Sequence, residues 1–217
     1  MKSILLALAL TTITCAQAQT PPRIVTTNCS GCHGLNGNAT WPQIPKLAAQ
    51  PAGYLEAQVK AFAAAPTVHV WDLPDWIRMP APTPAGARND PDARTFMIGL
   101  AKVVSADESR EAAAWYSTRR ATPGMAGDPE LVAQGKKLFE SGLPAQGVLG
   151  CGDCHGAQAQ GLGDFPRLAG QHASYLARQL RAFSVGTRGH GSAMTAQARP
   201  LDSAQIEAVS AYLQGLP

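Results

Sequence analysis

The sequence predicts an all-α protein made of two tandem domains, and three observations support this prediction. An internal repeat is the first: YLEAQVKAF, residues 54–62, returns as YLARQLRAF at residues 175–183. Matching helix starts are the second, because a capping-box pattern occurs once in each copy. These boxes are Ser105 with Glu108 and Asp202 with Gln205. As a third observation, neither cysteine pair of the chain is surrounded by the polar and apolar alternation of a strand.

The N-terminal residues predict a secretory signal peptide over residues 1–18. Lys2 precedes an apolar run, and Ala16-Gln17-Ala18 forms a small-x-small cleavage site, so we expect the mature chain to begin at Gln19. An uncleaved anchor and lipidation of Cys15 are the alternatives. No apolar stretch reaches the roughly 18 residues that a permanent membrane helix needs. We therefore expect an exported, periplasmic protein with no permanent membrane span.

Composition limits the classes of partner. The chain has 18 Lys and Arg against 15 Asp and Glu, a formal net charge of +3, and nothing in it argues for the clustered basic face that binds nucleic acid. Only 6% of the residues are aromatic, so large core side chains are scarce. A large apolar group bound at the centre of each domain would compensate for that shortage.

Two cysteine motifs indicate what that group is: CSGCH at residues 29–33 and CGDCH at residues 151–155. A Cys-x-x-Cys pair serves as half of a zinc site, as a redox dithiol or, when His follows, as an attachment point for haem c. Zinc ribbons place their pairs about 15 to 20 residues apart, and redox dithiols lie beside strand–helix–strand units, so neither fits. We therefore expect two covalently bound haem c groups. Their thioethers are expected on Cys29, Cys32, Cys151 and Cys154.

The axial ligands of the two irons follow from the motifs and the repeat. The histidine that ends each motif, His33 or His155, is the expected first ligand. Cytochromes c commonly use Met as the second, because its thioether raises the reduction potential. MTAQARPLDS, which starts at Met194, aligns with MIGLAKVVSA, which starts at Met97. We therefore expect Met97 and Met194 as second ligands, each just before the last helix of its unit.

Two other residues compete with Met97 for the first iron. Met79 is disfavoured because Pro80-Ala81-Pro82 follows it and matches nothing in the second unit. His69 is the other candidate, and it stays open.

The chain divides into units at residues 19–120 and 131–217, joined by a linker at 121–130 that contains Pro and Gly. Asp128 and Pro129 predict a helix start at the entrance to the second unit. The first unit has room only for a short opening helix or for none.

The first unit also carries an insertion at about residues 63–96, rich in Pro and holding Trp71 and Trp76. We expect it to cover an edge of the haem; a docking surface for a partner and an alternative ligand loop are the other interpretations. His172 and His190, in the second unit, are expected to be surface or helix-packing residues.

The two CxxCH motifs, the segment FPRLAGQHASYLARQLRAF and a Met before the last helix resemble the dihaem cytochrome c4 family. The resemblance covers nearly the whole mature chain and is closer in the second unit. It implies two class I cytochrome c domains, each wrapped around one covalently attached haem. It also implies that a pseudo-twofold axis relates them, with the haem edges facing each other.

The expected function is that of a periplasmic electron carrier without substrate chemistry. Its redox partners would be a dehydrogenase or membrane respiratory complex on one side and a terminal oxidase or other acceptor on the other; peripheral membrane association stays open. The alternative is a dihaem enzyme or a dedicated subunit of an oxidoreductase, similar to the thiosulfate dehydrogenases. An enzyme needs an open position on iron, whereas each unit here offers a Met for that position.

Overall fold

The computed structural model describes residues 20–65, 93–188 and 192–217, and the regular elements in these ranges are helices, with two isolated β-bridges beside them. The all-α prediction is therefore confirmed. Across the described ranges no helix combines the length and the apolar character that a membrane crossing requires. Several predicted features lie outside the described residues: the signal peptide, His69, Trp71, Trp76, Met79 and His190.

The first unit opens with a short helical segment, as predicted. It comprises a π-helical turn at Val25–Cys29 and α1 at Ser30–His33. The remaining helices are α2 at Ala52–Ala64, α3 at Ala93–Ala101 and α4 at Ala106–Ser117. The predicted capping box starts α4, because Ser105 Oγ accepts from the N–H of Glu108 while the Glu108 carboxylate accepts from the N–H of Ser105. Among the described residues, one core cluster of this unit is formed by Ile24, Val25, Leu55, Ala113, Trp115 and Tyr116.

The second unit repeats this plan and adds a full helix at its start. Its helices are α5 at Pro129–Ser141, α6 at Gly152–His155, α7 at Ala173–Ser184, α8 at Ser192–Ala198 and α9 at Ser203–Gly215, with a 3₁₀ turn at Pro144–Gln146. Asp128 caps α5 as predicted, accepting from the N–H groups of Glu130 and Leu131. The capping box of Asp202 and Gln205 starts α9. The core consists of Leu138, Phe139, Ala159, Ala169, Leu176, Val209 and Leu213.

Matching helices make matching contacts in the two units. In the first, α2 packs against α3 and α4; in the second, α7 packs against α8 and α9. The second unit also buries α5 across α9, where a Cβ on Gly135 would lie 2.0 Å from the carbonyl oxygen of Ala208. Only glycine allows the two helix backbones to approach this closely.

The helices that carry the two candidate methionines are a feature that the sequence did not predict. Met97 and Met194 were expected just before the last helix of each unit. Each lies inside a separate short helix, α3 or α8, and these helices end at equivalent buried residues, Ala101 and Ala198. Each Met is therefore placed on a short helix of its own.

Thr122 and Gly124, in the predicted linker, are hydrogen-bonded to residues of both units. Asn38 Oδ1 accepts from the N–H of Thr122 at 2.9 Å, and Lys46 Nζ donates to the carbonyl oxygen of Thr122 at 2.8 Å. On the other side, the N–H of Gly124 donates to the carbonyl oxygen of Gln214 at 2.9 Å. Because its backbone groups are satisfied by both units, the linker restrains how the units sit together.

Candidate functional site

Each CxxCH motif lies on a helical turn. Cys29 and Cys32 lie one turn apart where the π-helical turn runs into α1, and Cys151 and Cys154 occupy the same positions around α6. None of the four forms a disulfide bond. Residues three apart on a helical turn face one side, which is the spacing that two thioethers to one porphyrin edge require.

The acidity of the thiols argues against a redox dithiol. Burial raises the pKa of the Cys29 thiol to about 11, and burial is also the main reason why the pKa of Cys151 rises to about 11. Reactive dithiols instead have a lowered thiol pKa, since the thiolate is their nucleophile. Among the described residues there is also no cluster of three His, Cys, Asp or Glu side chains that could hold a metal ion such as zinc.

The two motif histidines are buried in equivalent surroundings. Nδ1 of His33 lies 2.9 Å from the carbonyl oxygen of Pro45, and Nδ1 of His155 lies 2.9 Å from that of Pro166. Since a carbonyl oxygen only accepts, Nδ1 carries the hydrogen in both rings. Burial lowers the pKa of both histidines, so the rings stay neutral. A neutral ring with its hydrogen on Nδ1 leaves the Nε2 lone pair available to a metal.

Met97 and Met194 are half-buried on the short helices α3 and α8. Through the packing of α3 on α2 and of α8 on α7, each is attached to the helix that follows the CxxCH turn of its own unit. The two competing ligands for the first iron, His69 and Met79, lie outside the described residues.

Aromatic side chains of the last helix hold the loop after the first histidine. Trp115 Nε1 donates to the carbonyl oxygen of Leu35 at 2.8 Å, and Tyr116 Oη donates to that of Gly34 at 3.2 Å. In the second unit, Phe165 lies edge-on to His155 with 6.2 Å between ring centroids. The hydrogen bonds from Trp115 and Tyr116 fix the backbone after His33, and Phe165 places an aromatic edge beside His155.

Two glutamines join the units by reciprocal hydrogen bonds. Gln171 exchanges two bonds with the backbone of Lys46, at 2.9 Å each, and Gln50 exchanges two with the backbone of Arg167, at 2.7 and 3.0 Å. Sequence reasoning missed both glutamines. The signal was present, because PKLAAQ at residues 45–50 and PRLAGQ at 166–171 place a Gln at the same position of the repeat.

Arg188 forms a second bridge between the units. Its guanidinium donates to Gln179 Oε1 on α7 at 2.9 Å and, across the junction, to Tyr54 Oη at 3.0 Å and Gln58 Oε1 at 2.9 Å on α2. Gln58 and Gln179 are equivalent in the repeat, so one cation contacts the same position of both units.

His172 departs from the expectation of a surface or helix-packing residue. It lies at the start of α7, and its Nε2 donates to the carbonyl oxygen of Ala39 in the first unit at 2.8 Å. His172 is therefore a contact between the units.

The donor set fits a covalently attached haem in each unit. The two cysteines share a face of a helical turn, a buried histidine with its Nδ1 against a backbone carbonyl follows them, and Cys29 and Cys151 pack against the apolar cores of their units. Sulfur, imidazole nitrogen and thioether are the groups that bind haem c.

Comparison with known proteins finds relatives that span both units. The family model described as cytochrome c matches residues 22–97 and 132–217. Cytochrome c4 of Stutzerimonas stutzeri is 36% identical over 193 residues, which cover 87% of this chain and 84% of the relative. The thiosulfate dehydrogenase electron acceptor of Thiomonas intermedia (strain K12) is 31% identical over 206 residues, covering 92% of this chain and 82% of that protein.

A solved structure supports the architecture of both units together. The crystal structure of reduced recombinant cytochrome c4 from Pseudomonas stutzeri superimposes with a TM-score of 0.72 at 35% sequence identity. The match covers 88% of this chain and 95% of that one, so the tandem arrangement is shared and not only a single domain.

Proposed function

The chain belongs to the cytochrome c family and, within it, to the dihaem cytochromes c4, and on that premise we propose that it carries electrons in the periplasm through two haems with His and Met as axial ligands. As a member of this family it binds two haem c groups covalently and transfers electrons.

One observation carries the proposal of ligands: each unit holds a buried histidine, with its Nδ1 against a backbone carbonyl, directly after two cysteines on one helical turn. In the first unit, between residues 19 and 120, Cys29 and Cys32 would hold the haem. There His33 and Met97 would bind its iron.

In the second unit, residues 131–217, the equivalent roles go to Cys151, Cys154, His155 and Met194. The linker at 121–130 joins the units.

The protein part of the mechanism is to hold the ligand set constant while the charge of the iron changes. The haem supplies reversible one-electron chemistry. The carbonyl oxygens of Pro45 and Pro166 fix the tautomer and orientation of the two imidazoles. The helices α3 and α8 would position Met97 and Met194, and burial of the histidines limits the access of water, so little would have to rearrange when an electron arrives.

The partners are proposed from the chemistry of the sites. A carrier with two coordinated irons takes electrons from a dehydrogenase or a membrane respiratory complex and passes them to a terminal oxidase or similar acceptor. Thiosulfate oxidation is a second source of electrons, since two relatives that are 31% and 30% identical bear the name thiosulfate dehydrogenase electron acceptor. Relatives named cytochrome c4 reach 36% identity, which favours the general carrier.

Absorption spectroscopy tests the ligand set. The oxidised protein should show the charge-transfer absorption of Met bound to ferric haem, and the reduced protein should not bind carbon monoxide. Carbon monoxide binding at either iron of the native protein would contradict a pure carrier at that site.

Thiosulfate separates the carrier from the enzyme. Oxidised protein mixed with thiosulfate alone should stay oxidised, and should become reduced only when a thiosulfate dehydrogenase is added. Reduction by thiosulfate alone would identify an enzyme instead.

A further inference from the structure

The peptide group between Pro45 and Lys46 is hydrogen-bonded at both ends. Its carbonyl oxygen accepts from Nδ1 of His33, and its N–H donates to Oε1 of Gln171 in the second unit, both at 2.9 Å. A single peptide group therefore separates the imidazole of His33 from a side chain of the other unit. The amide of Gln171 is held firmly, because its Nε2 donates to the carbonyl oxygen of Lys46 and its Oε1 also accepts from the N–H of His172.

The same arrangement occurs with the units exchanged. The peptide group between Pro166 and Arg167 accepts from Nδ1 of His155 at 2.9 Å and donates its N–H to Oε1 of Gln50, in the first unit, at 3.0 Å. Nε2 of Gln50 donates to the carbonyl oxygen of Arg167 at 2.7 Å. The connection from glutamine through peptide to histidine thus occurs twice, once in each direction across the junction.

Both connections are shielded from water. Gln50 and Gln171 are 6% and 4% exposed, and His33 and His155 are 6% and 5% exposed. In a medium of low dielectric, consecutive hydrogen bonds polarise one another and each becomes stronger. A peptide whose N–H is held by a glutamine oxygen therefore has a more negative carbonyl oxygen, which accepts more strongly from the imidazole.

We propose that Gln50 and Gln171 are positioning residues that adjust the axial histidine of the opposite unit. Gln171 acts on His33 through the Pro45–Lys46 peptide, and Gln50 acts on His155 through the Pro166–Arg167 peptide. The inference rests on the proposed ligation of iron by the two histidines. Its consequence is that the reduction potential of each haem depends on the docking of the other unit.

The direction of the effect follows from ligand basicity. A stronger acceptor at Nδ1–H makes the ring more basic at Nε2, and a more basic ligand stabilises ferric over ferrous iron. Removing the glutamine should therefore raise the reduction potential of the haem in the other unit. Admission of water to the junction would act in the opposite direction, because a polar medium stabilises the more highly charged ferric state.

The test uses the holoprotein with Gln171→Leu or Gln50→Leu. The two midpoint potentials are measured by spectroelectrochemistry and assigned to the units through the hyperfine-shifted NMR signals of each haem. Gln171→Leu should raise the potential of the first haem and leave the second in place; Gln50→Leu should raise only the second. A shift in the haem of the substituted unit alone, an equal shift in both, or a fall would overturn the proposal.

Gln214→Leu is the matched control. Gln214 also bridges backbone groups, because it accepts from the N–H of Ala173 and donates to the carbonyl oxygen of Met125. It is not bonded to either of the two peptide groups that accept from His33 and His155. Its removal should leave both potentials in place, and a rise equal to that of Gln171→Leu would show that any lost amide has the same effect.

Glutamate variants keep the test decisive if a leucine variant does not accumulate with both haems. Gln171→Glu gives up the bond from Nε2 to the carbonyl oxygen of Lys46 but retains an acceptor for the N–H of Lys46 and makes it anionic, so the potential of the first haem should fall by more than that of the second. Equal shifts would count against the proposal. The absorption of Met bound to ferric iron tests the proposed Met ligands separately. A native protein without that absorption would contradict the proposed ligand set. A protein that has it but shows no larger shift in the opposite haem would contradict only the role of the glutamines.

Discussion

Gln171 of the second unit and Lys46 of the first exchange two hydrogen bonds of 2.9 Å, although 125 residues separate them in the chain. Gln50 and Arg167 repeat the exchange with the units reversed. Reciprocal contacts of this kind are typical of an interface between two copies related by a twofold axis. The duplicated domains of this single chain therefore dock as a homodimer would.

Replacing the proposed Met ligands should affect one haem at a time. Met97→Ala should remove the charge-transfer absorption of the first haem and allow carbon monoxide to bind there. Its potential should fall by on the order of 0.1 V, within the range of about 0.8 V that axial ligands span. Met194→Ala should do the same at the second haem. Redox titration and carbon monoxide binding provide the measurements.

Met79→Ala serves as the comparison for Met97→Ala. It should leave both haem spectra unchanged. If Met79→Ala changes the spectrum while Met97→Ala does not, the choice of ligand for the first iron is wrong.

Loss of the Arg188 bridge should destabilise the docked arrangement. Arg188→Gln removes a charged donor from three neutral oxygens at the junction, those of Tyr54, Gln58 and Gln179. Hydrogen bonds to charged groups contribute about 1.5–3 kcal/mol each and are not additive. We therefore expect the free energy of unfolding to fall by about 2–4 kcal/mol. Thermal unfolding of the oxidised holoprotein measures it.

Arg181→Gln is the control for Arg188→Gln. Arg181 pairs with Glu207 at the protein surface, where an ion pair contributes about 0–1 kcal/mol. Equal destabilisation by the two variants would mean that the bridge contributes no more than a surface charge.

Gly135→Ala should disrupt the crossing of α5 and α9. The added Cβ would lie 2.0 Å from the carbonyl oxygen of Ala208, so the helices must separate, at a cost of about 1–3 kcal/mol or more. Gly99→Ala is matched to it, since Gly99 is also helical and its Cβ would meet nothing within 4 Å. Calorimetry should show a lower unfolding temperature for Gly135→Ala and an unchanged or higher one for Gly99→Ala.

Acid should weaken the contact made by His172. Burial is the main cause that lowers the pKa of His172, so the folded protein resists protonation that the unfolded chain accepts at its ordinary pKa of 6.5. The contribution of His172 to the free energy of unfolding is therefore fully present above about pH 6.5 and decreases as the pH falls below that value. His172→Gln should reduce the slope of unfolding free energy against pH between about 5 and 7. An identical slope in the variant would show that His172 does not titrate on unfolding.

Helix starts and haem attachment were predictable because their signals are local. Capping boxes at Ser105 and Asp202 depend on side chains three residues apart, and CxxCH places two thiols on one helical turn. Periodicity and capping did not predict a separate helix for either methionine. In the structure Met97 lies on α3 and Met194 lies on α8. Such short helices are stabilised by packing on α2 and α7, because helices of this length have little stability alone.

The sequence by itself determined the number of units, their helical character, the cysteine motifs and the pairing of Met97 with Met194, because repetition and short-range spacing encode all of these. Only the tertiary structure decided that His33 and His155 carry their hydrogen on Nδ1, and that Gln50, Gln171, His172 and Arg188 join the units. The contacts between the units connect residues more than a hundred positions apart. Their partners are mostly backbone oxygens and N–H groups, which every residue possesses, so no residue type in the sequence marks them and only the folded arrangement selects among them.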